Sequence, residues 1–168
     1  MRRLRTLVIG FLLSFALPAN AEGLPPPDGR VLLVVKGAIA YTNASGEAHF
    51  DRAMLDNLPQ HGMTTATPWT EGKQRFEGPL LADLLQAVGA QGSELELTAL
   101  NDYHATLHWG EVSRYPLVLV MRINGRSISV RQRGPIWLLY PMTDYPELNT
   151  PYHHSAMVWQ LNGIEVRE

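Results

Sequence analysis

The stretch LNDYHATLHWGE, Leu100 to Glu111, gathers Asn101, Asp102, Tyr103, His104, His108, Trp109 and Glu111 in one short run. Residues of these types ligate metals, exchange protons or stack on ligands. His104 and His108 are four apart, which on a helix would set both imidazoles on one face for a metal. The run lacks the Glu that follows the first His in the H-E-x-x-H zinc motif. Its upstream half alternates apolar and polar residues, the period of a strand. Leu95 to Ala105 therefore reads as one strand whose end delivers Asn101, Asp102 and Tyr103 to a pocket, with His104, His108 and Glu111 peripheral. The other histidines are His49, His61 and the adjacent pair His153 and His154. On a strand that pair would point to opposite faces. No metal site is expected.

Other chemistries find little footing. Ser45, Ser93, Ser113, Ser127 and Ser155 lie outside any G-x-S-x-G elbow, and no phosphate-binding Gly loop occurs. Glu94 and Glu96 would share the polar face of a strand, as solvated residues do. Arg131 and Arg133 flank a Gly-Pro turn, where they would either hold an anion or stand as exposed charge. Trp69, Trp109, Trp137, Trp159, Tyr103 and Tyr140 are candidates to line a pocket. Trp137, Tyr140 and Trp159 are expected in or beside the core.

The elements that must position these residues are mixed. RVLLVVKGAIAY reads as a buried strand, TNASGE as a turn, and HFDRAMLDNLP as a short helix stopped by Pro59. GMTTATPWTEG suggests a strand running out into a loop. GPLLADLLQAVGAQG is the clearest helix, with Gly78 as cap, Pro79 at the first position and Gly89 ending it. WGEVSRY reads as a short helix. PLVLVMRINGRSISV predicts a hairpin turning at Asn124-Gly125, with Ile128 and Val130 continuing the alternation. PIWLLYP is a further strand, MTDYPELNTPYHH a long surface loop, and SAMVWQLNGIEVRE a final strand pair or bent strand. There is no regular βαβ alternation, so the expected class is α+β: a mixed sheet with a few short helices.

Arg2, Arg3 and Arg5, the apolar run TLVIGFLLSFAL and the small residues before Glu22 form a secretory signal peptide, with cleavage expected after Ala21. The run is shorter than the roughly 20 residues that span a bilayer. The expected organisation is signal peptide over 1–21, Pro-rich leader over 22–30 and one domain over 31–168, in the periplasm and without a membrane span once the signal is gone. Loss of the three arginines takes the formal net charge from −2 to −5. An acidic domain is a poor nucleic-acid partner, because phosphates require clustered Lys and Arg. The sequence contains no cysteine. Disulfides, thiolate nucleophiles and thiolate metal centres are excluded.

FEGPLLADLLQAVGA, LTALNDYHATL, INGRSISVRQRGPIWLLYP and VWQLNGIEV, in that order, resemble the oxidoreductase molybdopterin-binding domain family, which has the sulfite oxidase fold. VVKGAIAYTN and FDRAMLDNLP extend the resemblance over most of the mature chain. The resemblance implies a sulfite oxidase-like fold and a molybdopterin cofactor. In that family a cysteine thiolate ligates molybdenum, and Thr64 or Thr65 occupies the corresponding position here. Tyr103 falls at the family's active-site tyrosine, and Arg133 near its anionic cofactor pocket. A threonine hydroxyl is a hard, weakly acidic donor, unlike a soft thiolate. Arg2-Arg3 is not followed by a twin-arginine continuation, which favours export of an unfolded, cofactor-free chain. The expected function is a small-ligand-binding or sensory module, without molybdenum catalysis. Its ligand-pocket candidates are Thr64, Thr65, Asn101, Asp102, Tyr103 and Arg133. Its ligand would be small and anionic or polar, and its partner a periplasmic or membrane sensor protein; a separate reading is an accessory subunit that docks a membrane sensor through MTDYPELNTPYHH. The alternative is a molybdopterin-dependent oxidoreductase with an unusual ligand set.

Overall fold

The computed structural model describes residues 23–168, so the expected signal peptide lies outside the described residues. The larger sheet has five strands: β1 (Leu33–Gly37), β2 (Glu47–Phe50), β5 (Glu94–Ala99), β6 (His104–His108) and β11 (Leu161–Arg167). Their spatial order is β2-β1-β11-β5-β6. The β1–β11 pair is parallel and the others are antiparallel. Alternation decides which face is buried. Leu33, Val35, Leu95, Leu97, Ile164 and Val166 point into the core. Glu47, Glu94, Glu96 and Glu165 are partly exposed on the other face. The run expected as one strand over RVLLVVKGAIAY stops at Gly37, which has φ 90°. A Cβ there would lie 2.2 Å from the Val166 carbonyl oxygen, so the close pairing with β11 demands glycine.

A second sheet runs β3-β4-β8-β9, from β3 (Gln60–Ala66), β4 (Lys73–Pro79), β8 (Arg122–Ile123) and β9 (Arg126–Ser127). A two-stranded ribbon of β7 (Val118–Val120) and β10 (Trp137–Leu139) lies beside it. β4 and β2 are not expected from the sequence, which reads Glu47–Phe50 as the end of a turn and the start of a helix. The charged residues of β4 hide a period carried inward by Phe76 and Gly78 alone. Gly78 is not a helix cap. A Cβ on it would meet the Leu119 carbonyl oxygen at 1.9 Å, so it admits the backbone of β7. Pro79 ends β4, and helix α2 (Leu81–Ala87) starts after Leu80. Gly89 follows that helix at φ 60°, as expected. Asn124 and Gly125, at φ 50° and 75°, make the expected tight hairpin. The alternation does not continue to Val130, which opens a 3-10 turn over Val130–Gln132 and is exposed.

Helix α1 (Arg52–Asn57) is shorter than its apolar spacing suggests, because Phe50 belongs to β2. Asp51 caps it, accepting from the Met54 amide at 2.9 Å, and also accepts from the Gly29 amide at 2.7 Å. These amides hold the Asp51 carboxyl below its ordinary pKa. Helix α3 spans Trp109–Arg114.

MTDYPELNTPYHH is not a surface loop. It contains a 3-10 turn, Pro146–Leu148, and the start of helix α4 (Pro151–Ala156), and it buries Met142 and Leu148. Thr150 caps α4 ahead of Pro151, a start signal that sits inside the loop sequence. His153 and His154 are therefore helical, not on a strand. After α4 only Leu161–Arg167 forms a strand, with a register shift between Leu161 and Gly163. The result is an α+β fold of several sheets and four short helices among the described residues. Its core is centred on Trp137, Tyr140, Phe50 and Phe76. No described helix is long and apolar enough to cross a membrane.

Candidate functional site

Leu95 to Ala105 is a hairpin, not one strand. β5 ends at Ala99, and the chain turns through Leu100–Asp102 before β6. The turn is closed by the Ala99 amide on the Tyr103 carbonyl (2.9 Å) and the Asp102 amide on the Ala99 carbonyl (3.0 Å). Asp102 sits at φ 61°, a conformation Asp tolerates better than most residues. The Asn-Asp pair was thus a turn signal inside an alternating run.

The tip of this hairpin forms one wall of a groove of about 460 Å³. The loop after β3 brings Trp69 to it, helix α4 brings His154, and the α4–β11 connection brings Trp159 and Gln160. Asn101 and Tyr103 line it; Asp102 does not. Tyr103 is 43% exposed, and its hydroxyl donates to the Ser155 carbonyl at 2.9 Å. That bond ties the hairpin to α4 and fixes the width of the groove at this point.

The groove wall is an aromatic corner. Trp69 and Trp159 meet edge to face, with centroids 5.4 Å apart and planes at 89°. Trp69 also packs against His154 at 5.7 Å and Trp137 at 5.9 Å. Trp137 and Tyr140 are fully buried as expected, but Trp159 is 38% exposed. It follows α4 at the surface, where its ring packs against other aromatics instead of entering the apolar core. The guanidinium of Arg133 stands 4.7 Å from the Trp159 centroid and 5.6 Å from that of Trp137. Arg133 adopts φ 75° at the end of the 3-10 turn, whose capping box joins Ser129 and Gln132. Arg131 is exposed, whereas Arg133 is half-buried and its Nε has no hydrogen-bond partner.

Thr64 and Thr65 do not reach this groove. Thr64 is exposed on β3. Thr65 is 1% exposed and donates to the Thr143 hydroxyl at 3.1 Å. In return the Thr143 amide donates to Thr65 at 3.0 Å, and the Ala66 amide donates to Thr143 at 3.1 Å. This clamp joins β3 to the segment after β10. A hard hydroxyl so engaged does not fit the role of a soft thiolate ligand to molybdenum. Thr143 lines a second hollow of about 480 Å³, with Met142, Pro68 and Asn149. His154 borders both hollows and is hydrogen-bonded to the Asn149 side chain at 2.9 Å.

The remaining histidines divide between surface and interior. His104 and His108 lie on the outer face of the sheet, 3.1 Å from Glu96 and 3.7 Å from Glu94. Glu111 does not line the groove, but it is not a surface carboxylate either. It is half-buried on α3, with Oε2 3.4 Å from His153 Nε2, and Thr150 holds His153 Nδ1 at 2.8 Å. The Tyr140 ring packs on His153 at 5.2 Å. Burial first, and then the nearby Glu111 carboxylate, raise the Tyr140 phenol well above its ordinary pKa. Its hydroxyl has no hydrogen-bond partner.

His154, Ser155 and Gln160 are groove residues that sequence reading missed. They carry no local signal, because the packing of α4 and β11 brings them there. Among the described residues no three His, Asp or Glu side chains are grouped as a metal ion requires. No protein-family model and no curated protein matches this sequence.

Proposed function

We propose that this chain is a periplasmic small-ligand-binding or sensory module on a sulfite oxidase-like scaffold, without molybdenum redox catalysis. The observation that carries the reading is the Trp69–Trp159 groove, with Asn101 and Tyr103 on its rim and Arg133 against its wall. Aromatic walls with a few convergent polar groups are the usual composition of a small-molecule site. The Thr65–Thr143 clamp supports the non-redox part, since the hydroxyl at the family's ligand position is spent on holding two segments together. Asn101, Tyr103 and Arg133 remain ligand-contact candidates, whereas Thr64, Thr65 and Asp102 serve the framework. A ligand bridging the β5–β6 hairpin and α4 would strengthen the joint made by Tyr103 and Ser155. That joint is the route by which occupancy would pass to a sensor partner.

The test is elemental and pterin analysis of protein purified from the native periplasm. Substoichiometric molybdenum and no pterin fluorescence are expected. One molybdenum per chain, with pterin, overturns the proposal in favour of the oxidoreductase reading.

A further inference from the structure

The side chains lining the groove include rings, amides and a thioether, but no carboxylate, ammonium or guanidinium. Arg133 does not line it, but its guanidinium stacks on the lining residue Trp159. Arg52, Arg75, Arg122 and Arg167 each pair with a carboxylate. Arg133 has no such partner among the described residues, although it is half-buried. A partly desolvated guanidinium without an anion is costly, and stacking on two indoles offsets only part of that cost. The planar fork suits a carboxylate, which it can engage through two parallel N–H bonds. The Trp69–Trp159 corner, for its part, favours a flat ring packed against indole edges and faces.

We propose that the groove takes a ring-bearing carboxylate, with the ring in the Trp69–Trp159 corner and the acidic group on the Arg133 side of Trp159. Arg133 is then the residue that sets specificity for charge. This rests on the groove being a ligand site, as proposed above. It adds that the ligand carries both an aromatic ring and a negative charge, and that cationic analogues are excluded.

Calorimetric titration of the mature chain with three ligands tests it: 4-hydroxyphenylacetate, 4-hydroxyphenylacetamide and tyramine. They share a ring and a short tether and differ in charge. The carboxylate is expected to bind about tenfold tighter than the amide, and tyramine weakest, as loss of one charge-assisted bond implies. Arg133→Gln should abolish the difference between the carboxylate and the amide, with the carboxylate losing the more affinity. Arg133→Lys, which keeps the charge but not the fork, should fall between and serves if the glutamine variant does not fold. Trp159→Ala should weaken both ligands.

Equal affinities across the series, or an Arg133→Gln variant that binds as wild type, overturn the charge assignment and leave the groove reading intact. Binding that survives Trp159→Ala unchanged lies elsewhere and overturns the groove reading itself. Silence from all three ligands overturns the ligand class. The groove reading then falls separately if denatured native protein also releases no small molecule.

Discussion

His153 and His154 are adjacent in sequence and serve opposite surroundings. His153 faces inward from α4, between the Glu111 carboxylate and the Tyr140 ring. His154 faces the two hollows and packs its edge near Trp69. Both regions are built from aromatic rings and one imidazole. The inner one is closed, so its polar groups satisfy one another or go unpaired. The outer one is open, so its polar groups are available to a ligand. Residue type alone does not distinguish a structural cluster from a binding site; access to solvent does.

The sharpest way to break this contrast is to truncate the inner cluster. Tyr140→Ala should cost about 3–5 kcal/mol in denaturant unfolding, because a fully buried aromatic side chain leaves a cavity. Tyr140→Phe, by contrast, should be near neutral, since the hydroxyl has no partner to lose. A loss of more than about 1 kcal/mol would show that Glu111 accepts from it. The same phenol has a pH signature. Its pKa is raised on folding, so the unfolded chain releases the proton first and stability falls as pH climbs past 10.0. In Tyr140→Phe that alkaline loss should be smaller.

Next in size is the Thr65 clamp. Thr65→Val keeps the volume and removes an acceptor, leaving the Thr143 amide unpaired, at a cost of about 1–2 kcal/mol. Ligand binding should survive, because Thr65 does not line the groove. Loss of binding without loss of stability would place Thr65 in the site after all.

Asp51 gives a smaller, pH-gated effect. Its folded pKa lies below 3.8, so its contribution is present above that value and disappears as pH falls through the folded pKa. Asp51→Asn should unfold at lower denaturant than wild type at neutral pH, and the two curves should converge in acid. The open region should lose binding before stability. Trp159→Ala should cost less in unfolding than Tyr140→Ala, since the residue is 38% exposed, while removing ligand affinity. A large destabilisation instead would mean that Trp159 belongs with the closed cluster.

β5 was legible because one face meets the core and the other meets water, which writes period two into Leu95–Ala99, and β1 because Val31–Val35 is a continuous apolar, β-branched run. Gly89 and Asn124-Gly125 were legible because left-handed backbone selects those residues locally. β4 was not, since its two inward residues are separated by charged ones. Gly78 was misread because its requirement comes from Leu119, far along the chain. At the site, Asn101 and Tyr103 were readable as pocket candidates at a strand end, and the turn that presents them was not. Arg133 was readable only as a charge at a Gly-Pro turn, not as a guanidinium stacked on two indoles.

By itself, then, the sequence determined the class of the fold, the turn residues and the absence of every thiolate chemistry. These depend on local backbone preference, on face-by-face burial and on composition. Tertiary structure alone decided that Trp69, Trp159 and His154 share a groove, that Thr65 is locked to Thr143, and that Glu111 looks inward. Each of these joins residues distant in sequence: α4 meets the β5–β6 hairpin and α3, and β3 meets the segment after β10. No period or motif along the chain records which distant surfaces will meet.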